Sequence, residues 1–143
     1  MTVPARIQRR RTKGWRLPVN AVIVSRPSRW GNLCKVALME EMGYDDPHAA
    51  AADNFRLWLA GSRSDAPNDE ADQRRERILT DLHLLRGKDL ACTCPPGRAC
   101  HGDYLIYRAN MPAAELDAWI ATVRERVNRQ RIAAHDKPLY APA

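Results

Sequence analysis

Asp89-Leu90-Ala91-Cys92-Thr93-Cys94-Pro95-Pro96-Gly97-Arg98-Ala99-Cys100-His101-Gly102-Asp103 passes from an apolar stretch through a stiff turn into a helix-like one. Leu90 and Ala91 predict a strand over residues 89 to 94. Pro95-Pro96-Gly97 ends it, because proline lacks an N–H and fixes φ. His101 to Ala109 then reads as a helix with Leu105 and Ile106 turned inward. Working backwards, Ala21-Val22-Ile23-Val24-Ser25 is a β-branched, continuous apolar run that predicts a strand buried on both faces.

The segments between these strands read as helices. A short one is expected around Val36 to Met42. Asp46-Pro47 supplies an N-cap and a first-turn proline for a second, carrying Phe55, Trp58 and Leu59 at helical spacing and ending near Gly61. Residues 61 to 70 read as an exposed loop without a core anchor. A third helix carries Ile78, Leu82 and Leu85, with Gly87 at its C-terminal cap. After Pro112, the spacing of Leu116, Trp119, Ile120, Val123 and Val127 predicts a last amphipathic helix. Strand, helices, strand, helix is the order of a right-handed crossover between parallel strands. The fold class is therefore α/β: a single small domain with a short, mostly parallel sheet covered by helices. A third strand could lie near Arg16 to Val19, or a partner chain could complete the sheet.

With 143 residues the chain has the length of one domain. The expected organisation is a basic N-terminal arm over 1–13, the α/β domain over 14–132 and a C-terminal tail over 133–143. No apolar run approaches the roughly 20 residues that span a bilayer, and no secretory signal pattern is present, so a cytoplasmic protein without a membrane partner is expected. In a reducing compartment Cys92, Cys94 and Cys100 read as thiols, metal ligands or redox groups rather than disulfides, and Cys34 as a small core residue.

Charge is unevenly placed. Every basic residue from Arg6 to Lys35 precedes the first acid, Glu40, and together they exceed the whole net charge of +6. That concentration suits phosphate-bearing partners, either a small nucleotide or a nucleic acid gripped by the N-terminus. A solvated basic tail is the plainer reading.

Ligands of open parallel sheets bind beyond the carboxyl ends of the strands, and both unusual motifs fall there. After the first strand, Arg26-Pro27-Ser28-Arg29-Trp30-Gly31-Asn32 offers two guanidiniums for an anion, Ser28 and Asn32 to orient it, and Trp30 to stack on a base. The alternative is a turn in which Trp30 plugs the core and the arginines face water. After the second strand, Cys92, Cys94, Cys100 and His101 have the ligand types and number of a tetrahedral zinc site, at spacings tighter than those of zinc ribbons or fingers. Equally, Cys94 or Cys100 could be a reactive thiolate, with His101 and Asp103 handling protons as catalytic neighbours. The cysteines could also be merely structural. An anionic ligand of nucleotide or nucleoside type, acted on by a transferase or hydrolase, is the expectation from the two loops together. A nucleic-acid-binding protein with a structural zinc site and a non-catalytic nucleotide-sequestering protein are the alternatives.

Residues 11 to 18 (Arg-Thr-Lys-Gly-Trp-Arg-Leu-Pro), 26 to 32, 85 to 92 and the set Cys94, Cys100, His101, Gly102, Asp103 resemble an uncharacterised family of short proteins from actinobacteria and phages. Its marks are an R-P-S-[KR]-W-G-N motif and a C-x-C...C-H-G-D motif. The resemblance spans about residues 11 to 110 and implies no established activity, substrate or cofactor. Leu33 stands where that family commonly has proline, and Thr93 where an aromatic often separates the cysteines, which removes a stacking group at 93. Strand-Cys followed by Cys-His at a helix start is also similar to a second small α/β family of unknown function. The phage members imply, by analogy, roles in modified nucleotides or in countering host nucleotide signalling.

Overall fold

A computed structural model describes residues 3–140. Three strands, β1 (Arg6–Gln8), β2 (Ala21–Ile23) and β3 (Asp89–Cys92), form a fully parallel sheet in the order β1-β3-β2. Among the described residues five helices accompany it: α1 (Val36–Glu41), α2 (Pro47–Leu59), α3 (Asp69–Asp81), α4 (His101–Ala109) and α5 (Ala113–Ala133). A 3-10 turn over Leu82–Leu85 continues α3. The chain is a small α/β domain, and the helices between β2 and β3 form the expected crossover.

The central strand is β3, whose Leu90 and Ala91 are fully buried. Leu90 lies opposite Arg6 on one side and Val22 on the other. The strands are shorter than the sequence suggests. β2 is an edge strand that stays half-buried, and full burial begins only at Val24 and Ser25 beyond its end. The third strand is not at 16–19, which is exposed, but at Arg6–Gln8, inside the stretch expected to be a free arm. Ile7 is the one large apolar side chain of β1, so periodicity gives no signal. What holds the strand is its backbone ladder, extended by Leu90 N–H to Ala5 O at 3.0 Å and Arg9 N–H to Cys92 O at 2.7 Å.

The helix signals act as read. Asp46 accepts from Ala49 N–H, Pro47 opens α2, and Gly61 follows it at φ +110°. Phe55, Leu59, Ile78, Leu82, Leu85, Leu105, Val123 and Val127 form the core. Two segments differ from expectation. Loop 61–70 is anchored after all, because Arg63 is only 5% exposed and pairs with the fully buried Asp72 at 3.0 Å. Arg75 and Arg131 reach the same carboxylate at 3.0 and 2.6 Å. A buried charge network replaces an apolar anchor, and no hydrophobic pattern announces it. At the other end, residues 134–140 fold back rather than trailing as a tail: Asn128 accepts from Leu139 and Tyr140 N–H, and both residues pack on the core. Residues 141–143 of the expected tail lie outside the described residues.

Candidate metal centre and the cavity beside it

The carboxyl ends of the three parallel strands bring Arg9, Ser25 and Cys92 to one edge of the sheet. Beyond β3 the chain turns at Pro95 to Gly97 and re-enters at Cys100, the N-cap of α4. There the Cys100 sulfur accepts from Gly102 N–H at 3.4 Å, and the Asp103 carboxylate accepts from Cys100 N–H at 3.3 Å. Arg6 fastens the turn from β1: its guanidinium donates to the carbonyls of Cys94, Pro95 and Arg98 at 2.9 to 3.0 Å. Its Nε lies 3.4 Å from Asp103 Oδ1 as an ion pair without hydrogen-bond geometry.

This framework closes three sulfurs on one another. The Sγ atoms of Cys92, Cys94 and Cys100 all lie within 4.8 Å of each other, with Cys92 and Cys94 at 3.9 Å. His101 stands outside that set but faces it. Its Nε2 lies 2.9 Å from Val24 O, a carbonyl that can only accept, so the neutral ring carries its proton on Nε2. The lone pair of Nδ1 then points to the Cys100 sulfur at 3.6 Å. Phe55 packs edge-on against the imidazole with centroids 5.0 Å apart, which fixes the ring plane.

Two of those spacings, 3.9 Å between the Cys92 and Cys94 sulfurs and 3.6 Å between Cys100 Sγ and His101 Nδ1, match edges of a metal tetrahedron. Zn–S bonds of about 2.3 Å and Zn–N bonds of about 2.0 Å put sulfurs about 3.8 Å apart and sulfur and nitrogen about 3.5 Å apart. A backbone carbonyl on the far ring nitrogen is also the usual outer-shell support for a ligating histidine. Electrostatics point the same way. Hydrogen bonds from Cys100 and Cys94 draw the Cys92 thiol far below its usual range, against burial. Hydrogen bonding to Cys92 and Cys94, with burial, pushes Cys100 far above its usual range. For Cys94 the hydrogen bond with Cys100 acts downward, but the Cys92 bond and burial outweigh it and raise the thiol. The three thiols are thus linked through one another, and a cation that displaces their protons would complete the set.

The second loop is arranged differently from a ligand clamp. Trp30 is 4% exposed and sits in the core, with the Arg29 guanidinium 4.5 Å from its ring centre, so no open face remains for a base. Arg29 itself pairs with Asp81. The Ser28 hydroxyl accepts from Trp30 N–H, and buried Asn32 bridges Ala51 O and Cys34 N–H at 2.9 Å each. Arg26 donates to Asn32 O at 2.7 Å across the cis Arg26–Pro27 turn. A Cβ on Gly31 would lie 2.9 Å from the Arg26 side chain, so this fold-back requires glycine. Ser28, Trp30 and Asn32 thus build the loop, and Arg26 remains available at its surface.

Arg26 and Asn32 nevertheless border the same cavity as Cys94, Cys100 and His101, one of about 220 Å³. The two motifs meet there. His48 and Lys35 also line it; neither carried a sequence signal, since each is a lone polar residue at the start of a helix. A larger cavity of about 660 Å³ lies on the other side of Asn32 and Cys34, between α1, α2 and the start of α3. Its polar lining includes Asp53, Asp65 and Glu70 against Arg74, and it contains none of the clustered thiols.

Fold and site together define a small parallel α/β domain with a cysteine–histidine centre at the carboxyl edge of its sheet. The chain belongs to the family described as Domain of unknown function (DUF4326), whose model matches residues 7–111. No curated protein and no solved structure matches it. Among the described residues, no helix is long and apolar enough to cross a membrane.

Proposed function

We propose that the chain binds an anionic ligand of nucleotide or nucleoside type in the cavity between its two loops, and that a zinc-class metal held by Cys92, Cys94 and Cys100, with His101 as fourth ligand, organises that cavity. The convergence of the three sulfurs within 4.8 Å is the observation that carries the reading. Four protein ligands make a closed site, which is the structural rather than the catalytic arrangement. The metal would clamp the end of β3 to the start of α4, as Arg6 does through hydrogen bonds.

A transferase or hydrolase reading would draw on Cys94, Cys100, His101 and Asp103 as thiol and acid–base groups. In a loaded centre the thiols are ligands, while His101 and Asp103 are already bonded to Val24 and to Cys100. Binding is therefore the function the geometry favours over turnover. Elemental analysis of protein purified without added metal, together with native mass spectrometry of co-purified small molecules, tests it. One metal per chain and a bound phosphorylated or nucleoside-like mass are expected; metal-free folded protein contradicts the reading.

Nucleic-acid binding is the second reading, resting on Arg10, Arg11, Lys13 and Arg16, which are exposed near the amino end. Arg6 and Arg9 are less free, being tied to the β3 turn and to Ser25. Four phosphate contacts would give a slope of about −3 to −4 in log affinity against log salt. A flat salt response removes this reading.

A further inference from the structure

The cavity beside the cysteine centre has an unusual charge pattern. Arg26 and Lys35 line it, Ser25 and Thr93 add hydroxyls, and no aspartate or glutamate borders it among the described residues. Neither cation has a carboxylate partner among the described residues. His48 reaches the same space from the first turn of α2, and its Nδ1 is buried without a hydrogen-bond partner. A buried polar atom without a partner is costly, and a ligand atom bonding to it would offset that cost.

Charge and size together select the ligand. A divalent metal with three thiolates and a neutral imidazole carries one net negative charge, and the two cations exceed it. The residual field attracts an anion, which would sit beside the metal rather than on it. At about 220 Å³ the cavity is smaller than the roughly 300–1,000 Å³ of sites that enclose whole ligands. It has room for one oxyanion group, with the remainder of the molecule outside.

We propose that this cavity is an oxyanion subsite in which Arg26, Lys35 and His48 hold the terminal phosphate of a phosphomonoester. The guanidinium supplies paired N–H donors, the ammonium a point charge, and the His48 imidazole, once turned toward the cavity, a third donor. The proposal rests on the ligand reading above and adds to it the group recognised and two residues that recognise it.

The test is calorimetric titration of the full chain with inorganic phosphate and with adenosine monophosphate, alongside metal analysis. Wild type is expected to bind both, with His48→Ala and Lys35→Ala each at least tenfold weaker and Lys137→Ala, at an exposed position away from the cavity, unchanged. Lys35 is exposed, so its variant keeps the fold even if the His48 variant does not. Metal-loaded protein that binds neither anion, or binds them equally in all variants, overturns the subsite. Metal-free protein that binds phosphate through His48 and Lys35 would leave the subsite standing and overturn the metal reading instead.

Discussion

His101 Nε2 lies 2.9 Å from the Val24 carbonyl, and this one bond connects the end of β2 to the cysteine centre beyond β3. It sets the tautomer that turns Nδ1 toward Cys100 Sγ, so adjacent residues 100 and 101 can both face one metal. Tight sequence spacing is overcome because Cys100, as an extended N-cap, and His101, as the first helical residue, leave the backbone in different directions.

If the centre holds metal, replacing Cys92, Cys94 or Cys100 by serine lowers metal content and melting temperature together, since binding free energy is folding free energy at such a site. Parallel metal analysis and thermal denaturation check this. A variant that loses metal but melts as wild type would detach the centre from the fold.

Trp30→Ala is expected to cost about 3–5 kcal/mol of stability, as for a large aromatic removed from a core. A stacking platform for a base would instead leave chemical denaturation unchanged and weaken binding alone. The sequence favours the stacking reading of the tryptophan, whereas the structure places its ring in the core. Local composition cannot tell an aromatic that faces a ligand from one that faces the core, because both need the same turn.

The same distinction explains what else was legible. Periodic apolar faces and caps at Asp46-Pro47, Gly61 and Gly87 revealed the helices, and the Cys92-to-Asp103 stretch revealed the centre. β1 was not legible, because a three-residue edge strand is held by backbone pairing to Leu90, Ala91 and Cys92 rather than by its own pattern. His48 and Lys35 were not legible either; only the packing of α1 on α2 beside the cavity brings them together there.

Deleting residues 1–10 is therefore expected to destabilise the domain, by removing both the edge strand and the Arg6 clamp on the turn. Faster hydrogen exchange at Leu90 N–H, which bonds to Ala5 O, would report it. An unchanged melting temperature would return this segment to a free arm.

Asp72→Ala leaves Arg63, Arg75 and Arg131 facing one another without their shared counter-charge, and about 3–5 kcal/mol of destabilisation is expected. Urea denaturation measures it. A loss below about 1 kcal/mol would show that the guanidiniums find other acceptors.

Burial pushes the Tyr140 phenol well above its usual range, and its buried oxygen has no hydrogen-bond partner. The raised group stabilises the fold fully below the unfolded value of about 10, and that contribution is lost as pH rises from there toward the folded value. Tyr140→Phe is expected to change stability little at neutral pH and to flatten its decline above about pH 10. Denaturation curves across that range check the sign; a variant with the same alkaline decline would contradict it.

X-ray absorption at the metal edge of protein purified without added metal reads the ligand set of the centre itself. One zinc-class ion with three sulfurs at about 2.3 Å and one nitrogen at about 2.0 Å is expected. Protein that is folded with no metal, or whose metal is surrounded by oxygen and nitrogen alone, would contradict it.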